Sequence, residues 1–452
     1  MSVHSFCLKA SHGVAGKISG LKIAILATAA SGLLAVSAIA QPGQVPVITW
    51  NELTLDTVRI ERVGTPFAAR LYAMVNIAMY DAVNGIAVAS NVGNARTHAL
   101  VSPSGAPQQS QASDEAAAMA AAHAVLSALY PTMADDYDEA LEDGLEALNA
   151  NANKVAAGVA WGANVGQQVV SLRANDGSSP SETLPGGTAP GQYRADFTSA
   201  QFRNMDPFAI NSANPYLSSG PPALTSSAYA DAWAEVKDLG NAAIPDQNKE
   251  EIFRFWRGSG GSARPPGEWL KIAIEVTSDP TYELSLKGAT RLFTLLGMAL
   301  GDAVIPAWDN KFTFRLWRPT TAIREAGTDD NPNTVADPSW NPRNGSIGGS
   351  PEHTSGQSTF AGAGSTILAG FYCDDDISFT FEGDNAIAGP RSFASFSAAA
   401  AEAGRARIFA GIHFEFSNQG GQSAGQGVGD EILATQLLRL QGQTHNGQGC
   451  PL

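Results

Sequence analysis

Apolar residues recur at intervals of three and four along most of this chain, and that spacing predicts helices. From about Thr54 to Leu172 the pattern is helical throughout. A helix opening at Pro66 in "PFAARLYAMVNIAMYDAVNGI" is expected to end before Gly85, and Ser113 is placed to cap "DEAAAMAAAHAVLSALY". An acidic amphipathic run follows from Met133 to Leu148, and another helical run spans Lys154 to Leu172. Between 175 and 227 the composition turns to Gly, Pro, Ser and Asn, which reads as a linker or as a loop covering a site. Helical spacing resumes at Ala228 and continues through "EWLKIAIEV", "LKGATRLFTLLGMALGDAVIPAW", "STFAGAGSTILAGFY" and Asp430 to Gln441. Only Ile377, Phe379 and Phe381 alternate as a strand would. With no internal repeat, the expected fold is all-α: a helical bundle over 41–174, a connecting loop over 175–227, and a second bundle over 228–452.

The first forty residues depart from this pattern. Lys9, Lys17 and Lys22 precede an apolar stretch, Ile23 to Ile39, which ends in small residues before Gln41. That order reads as a secretory signal over 1–40, cleaved near Ala40, with an uncleaved anchor as the alternative; the mature chain would be secreted or periplasmic. Among later segments none is expected to cross a bilayer. Removing residues 1–40 takes the formal charge from −15 to −18. So acidic a surface repels nucleic acid and anionic lipid, and any anion site must be a local basic pocket. Of the cysteines, Cys7 leaves with the signal. Cys373 and Cys450 remain, as a bridge favoured by an oxidising compartment or as two free thiols.

Three segments carry candidate chemistry. In "KFTFRLWRPTTAIR", Lys311 and Arg318 are seven apart, so a continuous helix would put both cations on one side, with Pro319 ending it soon after. Trp308 lies just before. In "PEHTSGQSTFAGAG", Ser355 and Gly356 precede a helical run, so backbone N–H groups should face an anion there. In "ARIFAGIHF", Arg407 and His413 are six apart and converge only if the chain bends, which Gly411 allows. Each pattern alone also describes ordinary surface charge or a structural histidine.

Taken in order, Lys311-x6-Arg318-Pro319, Ser355-Gly356 and Arg407-x3-Gly411-x-His413 resemble the three-part signature shared by vanadium-dependent haloperoxidases and type 2 phosphatidic-acid phosphatases, and the wider text resembles the secreted bacterial haloperoxidase-like branch. The resemblance implies an oxyanion site in the C-terminal bundle, a haloperoxidase/acid-phosphatase-like domain over 228–452. Lys311, Arg318 and Arg407 would neutralise the equatorial oxygens of vanadate or phosphate, assisted by the Ser355 hydroxyl and Gly356 N–H. His413 would bind vanadium, or attack phosphorus to form a phosphohistidine. The implied partners are small anions, together with hydrogen peroxide and halide for a peroxidase, or a phosphoester for an exported acid phosphatase.

The departures from that signature are specific. The family's second histidine, its proton carrier, falls on Gln357, and a carboxamide cannot move a proton. Its loss would cost about 10²–10⁴-fold in rate, which leaves a non-catalytic oxyanion-binding protein as a third reading. His353 stands four residues earlier as a candidate substitute. Ala406 replaces a serine, and Ser417 replaces the aspartate that would orient the nucleophilic histidine, so something else must fix the His413 tautomer. Asp302 could orient a cage cation or simply cap a surface. Asp374-Asp375-Asp376 lacks the spacing of a calcium loop, and "AGAGST" lacks the lysine of a nucleotide phosphate loop.

Overall fold

The computed structural model describes residues 45–93 and 95–438. The expected signal segment and Cys450 lie outside the described residues. Cys373, just past the end of a helix, is disulfide-bonded.

The helical spacing forms five helices in the first half: α1 (Val45–Ile60), α2 (Thr65–Ala89), α3 (Asp114–Leu129), α4 (Ala134–Glu146) and α5 (Ala152–Leu172). Ser113 caps α3 as expected, its hydroxyl accepting from the Ala116 N–H. The α2 helix does not stop before Gly85 but continues to Ala89. At Gly85 a Cβ would come within 2.8 Å of the Trp161 ring, so the glycine makes room for a tryptophan of α5, whose Nε1 donates to Ala82 O at 2.9 Å.

The segment 175–227 holds a two-stranded antiparallel pair, β1 (Thr183–Leu184) with β2 (Phe197–Thr198), and short 3-10 turns at Ala200–Asn204 and Asn214–Tyr216. Then come α6 (Ser227–Leu239), α7 (Gln247–Phe255), α8 (Arg264–Ser278), α9 (Leu286–Phe314), α10 (Pro319–Arg324) and α11 (Gly356–Tyr372). A small hairpin, β3 (Phe379–Phe381) and β4 (Arg391–Phe393), precedes α12 (Phe396–Phe409) and α13 (Glu415–Thr435). The alternation seen at Phe379 and Phe381 is thus a strand, buried on both of those positions. The molecule is all-α in its architecture, as expected, with α2 of the first bundle against α9 of the second and one hydrophobic core running through both.

Two helices, α2 and α9, are in fact long and apolar enough to cross a membrane, contrary to expectation. Protein covers them instead: 94% of each apolar window is buried. A helix apolar all round is also the signature of a core helix.

Each bundle contains a seam of glycines spaced by four. Gly158, Gly162 and Gly166 of α5 lie against the Ser113, Ala117 and Ala121 backbone carbonyls of the α3 region, and Gly421 and Gly425 of α13 lie against the Ser355 and Thr359 carbonyls. A Cβ at Gly421 would stand 2.6 Å from Ser355 O, and one at Gly425 would overlap Thr359 O outright. The second seam fixes the N-terminal end of α11. Gly425→Ala is expected to lower stability by about 1–3 kcal/mol through overpacking. Gly327→Ala, with open space around the new methyl, should change it by less than about 0.5 kcal/mol; urea titration of the two variants compares them.

Candidate oxyanion site

The functional side chains gather where helices begin and end. Lys311 lies in the last turn of α9, buried, its Nζ donating to Pro351 O at 2.7 Å. The helix does not carry on to Arg318: it ends at Phe314, and Arg315 reverses the chain at φ 45°. Pro319 does not end a helix but opens α10, where its fixed φ suits the first turn, and Arg318 is the N-cap residue. The two cations therefore converge by a turn and not along one helical face.

Arg318 is held on every side. Its Nε donates to Ser350 O at 2.7 Å, Nη1 to Ile412 O at 2.7 Å and to His413 Nε2 at 2.9 Å, and Nη2 to Ser350 Oγ at 3.2 Å. The glycine-rich turn 344–350 closes over it. At Gly348, with φ +90°, a Cβ would lie 2.7 Å from Arg318 Cζ, so only glycine lets the backbone come this near. Tyr193 Oη, from the connecting segment, holds that turn by donating to Gly348 O.

Ser355 is the N-cap of α11, as the sequence predicts, and Gly356 and Gln357 open the helix. The Ser355 hydroxyl accepts from the Ser358 N–H and is 2.9 Å from Ser358 Oγ, and Ser355 is fully buried. It sits behind the cavity wall rather than in it, whereas Gly356 and Gln357 line the cavity. Arg407 comes from the last turn of α12, and Gly411, at φ +74°, bends the chain so that His413 faces the same space. At Gly411 a Cβ would crowd Gly240 O at 2.7 Å, so this bend too requires glycine.

The cavity has a volume of about 590 Å³. Lys311, Arg318, Gly356, Gln357, Arg407 and His413 all line it, as does Trp308. Several of their polar atoms have no partner among the described residues: Nε and Nη1 of Arg407, both ends of the Gln357 amide, and Nε1 of Trp308. Burial, then the neighbouring Arg318 and Arg257, push Arg407 down to about 9, and burial together with Arg318 holds Lys311 well below its ordinary value. Buried cations left with free donors are costly, and an oxyanion is the partner that satisfies them.

What fixes His413 is Glu352, a residue the signature does not include. Its Oε1 accepts from His413 Nδ1–H at 2.9 Å and from the Phe414 N–H at 2.9 Å, while Ser417 Oγ donates to Oε2 at 2.5 Å. Ser417, standing where the family has aspartate, thus supports a glutamate that does the aspartate's work. Burial, and after it Arg318 and Lys311, hold the His413 pKa well below 6.5, so the ring is neutral with its Nε2 lone pair toward the cage. Burial also pushes Glu352 up to about 7, against the pull of its three donors and the nearby cations. The signal was present in the sequence: Glu352 is the one charged side chain between 344 and 356, and a lone acid in such a stretch, once buried, needs a partner.

Two other expectations are corrected. His353 does not face the cavity. Its Nδ1 meets Ser417 Oγ at 2.9 Å, its Nε2 meets Ser218 Oγ at 2.7 Å, and burial pushes its pKa down to about 3, so it does not replace the missing proton carrier. Asp302 orients no cage cation: its carboxylate accepts from the N–H groups of Phe208, Ala209 and Ile210 at 2.6–2.9 Å and so ties the connecting segment to α9. Asp302 was too far along the helix for its side chain to reach the cage. Glu352→Gln, which keeps the shape but weakens the hold on His413, is expected to reduce phosphate or vanadate affinity by about 10–100-fold; calorimetric titration, with a thermal melt to verify folding, measures it.

Comparison with known proteins shows what the chain is similar to. Residues 291–442 match the family model for the VCPO second helical-bundle domain. The vanadium chloroperoxidase of Curvularia inaequalis is 26% identical over 211 residues, a match covering 40% of this chain and 33% of that protein, so the chain matches only about a third of that relative's length. Among solved structures, a bacterial vanadium-dependent iodoperoxidase superposes with a TM-score of 0.73 at 23% identity, covering 87% of this chain and 97% of that one. The holo-type bacterial vanadium-dependent chloroperoxidase gives 0.62 at 16% identity, covering 87% and 92%. At such identities the structures speak for a shared fold, while the second-bundle match over 291–442, with the chloroperoxidase likeness, supports a relation to the vanadium haloperoxidase superfamily.

Proposed function

We propose that the chain is a vanadium-dependent haloperoxidase-like enzyme, holding vanadate at His413 within the cage of Lys311, Arg318 and Arg407 and oxidising halide with hydrogen peroxide. The observation that carries this reading is the set of partnerless donors on Arg407, Gln357 and Trp308 around the Nε2 side of a neutral histidine. That donor set fits a tetrahedral oxyanion: His413 Nε2 for the central atom, Arg407 and Lys311 for its oxygens, and the N-terminal end of α11 at Gly356 directed at its charge. Bound there, vanadate supplies a Lewis acid that activates peroxide toward a nucleophilic halide.

The chain's own residues do the rest. Glu352 holds the Nδ1 proton of His413, so Nε2 keeps its lone pair. Arg318 donates to that lone pair and to two backbone carbonyls, which sets the ring in place, and its Nη1 must release Nε2 for the central atom to bind there. Gln357 can donate from Nε2 and accept at Oε1, which orients a bound oxygen but transfers no proton, so protons must pass to water in the cavity and turnover is slow. The same reading takes the protein to be exported, with residues 1–40 removed.

A second reading, phosphomonoester hydrolysis through His413, draws support from the Glu352–His413 pair. The loss of the family's aspartate at Ser417 argued against an activated nucleophile, and the glutamate answers that objection. The same cage would serve it with phosphate in place of vanadate.

Titration of the purified protein with orthovanadate, followed by peroxide-dependent oxidation of bromide and iodide on the same sample, tests the first reading. His413→Ala should abolish vanadate binding, and unchanged affinity would sink both readings. Gln357→His should raise halide oxidation by up to about 10²–10⁴-fold. Phosphatase activity that needs no vanadate and vanishes in His413→Ala would favour the second.

A further inference from the structure

The cavity is much larger than the cage needs. Five heavy atoms of an oxyanion, at about 30 Å³ each, fill on the order of 150 Å³, against the 590 Å³ present. The remainder lies within the size range of sites for organic ligands. It extends outward to Gly64–Pro66 at the start of α2, to Thr198 and Ser199 of the connecting segment, and to the 257–265 turn between α7 and α8. Two arginines stand in that outer wall, Arg257 and Arg264, and among the described residues no Asp or Glu lines any part of the cavity, in a protein whose formal net charge is −15.

The two arginines differ in what they do. Arg264 spends its donors on the backbone, Nε on Val63 O at 2.6 Å and Nη2 on Arg62 O at 3.1 Å, and so closes the wall between α1 and α8. Arg257 makes one hydrogen bond among the described residues, from Nη2 to Asn344 O at 3.5 Å, the outer limit of such a contact. It is half-buried, and it lies near enough to Arg407 for their like charges to repel. The turn that carries it is shaped for the purpose: Gly258 has φ +58°, and a Cβ there would meet Pro265 Cδ at 2.7 Å. A guanidinium held beside the cage with its donors unspent, in a chamber without carboxylates, is arranged to receive a second anionic group.

We propose that the outer chamber binds a small organic anion, with Arg257 recognising its carboxylate or phosphate next to the occupied oxyanion cage. This rests on the oxyanion reading above and adds the class of organic substrate. The anion can belong to a separate molecule beside the cage, as an acceptor of the oxidised halogen would be, or to the organic part of a phosphoester whose phosphate sits in the cage. The recognition at Arg257 is the same for both.

Calorimetry with four probes separates these sources. Inorganic phosphate reports the cage alone. The carboxylate probe 4-hydroxybenzoate, titrated into phosphate-saturated protein with phenol as its neutral counterpart, reports a separate organic anion. The fourth, 2-phosphoglycolate measured against phosphate, reports one molecule spanning both. At least one carboxylate probe should bind tighter than its reference, and Arg257→Ala should reduce that preference by about tenfold or more. Arg257→Gln, which keeps most of the side-chain volume, should do the same, and thermal melts verify that both variants fold. A preference absent in the native protein, or unchanged in both variants, overturns the proposal while leaving the cage intact. If phosphate itself does not bind, the oxyanion reading fails first and this one with it.

Discussion

Everything about this site follows from burying three cations, Lys311, Arg318 and Arg407, around a single carboxylate, Glu352. Charges taken out of water are costly unless paired, and one acid cannot neutralise three bases. The protein offsets part of that cost with backbone carbonyls: Pro351 O for Lys311, and Ser350 O and Ile412 O for Arg318. Arg407 keeps two nitrogens without a partner among the described residues. The folded chain thus holds an uncompensated positive charge of the kind a bound oxyanion would offset, which is what preorganisation for an anion means in physical terms.

Holding such a deficit requires a rigid frame, and the frame is built from helix ends. The cage cations and the histidine come from the end of α9, the start of α10, the end of α12 and the α12–α13 turn, with the start of α11 opposite. Those ends stay in register because their helices pack backbone to backbone, Gly421 and Gly425 of α13 admitting the carbonyls of Ser355 and Thr359. The connecting segment adds a second constraint from outside. Tyr193 pins the turn over Arg318, Ser218 meets His353, and Asp302 anchors the segment through three N–H groups. Of the two readings of this Gly/Pro-rich stretch, a linker or a loop covering a site, the second fits: Thr198 and Ser199 line the cavity.

What could be read from the sequence was what is local. The helical periodicity, the Ser355 cap and the bend at Gly411 each depend on a few adjacent residues, and each stands in the structure. So does the order of the three segments, because the chain order of motifs survives whatever the fold between them. What could not be read was long-range. Glu352 and His413 are sixty-one residues apart, and neither helical spacing nor capping chemistry reports a pairing between loops. The turn at Arg315 has no such local mark, because the fixed φ of a proline such as Pro319 starts a helix as readily as it follows the end of one. Arg257 carries no local signal at all, since its place in the cavity wall is set by the fold and not by its neighbours in sequence.

Glu352 and Gln357 make the departures from the family signature unequal. Where Ser417 replaces a carboxylate, the function moves to a neighbouring element, because orienting a ring needs only an acceptor at the right distance, and Glu352 supplies it at 2.9 Å. Where Gln357 replaces a histidine, no described residue takes over: His353 is turned away, and the cavity lining holds no second imidazole or acid. A hydrogen-bond acceptor can be relocated across a core, but a proton carrier has to stand at the reacting atom. Among the described residues the site therefore has the charge and position that holding an anion needs, and no side chain at Gln357's place that could move a proton.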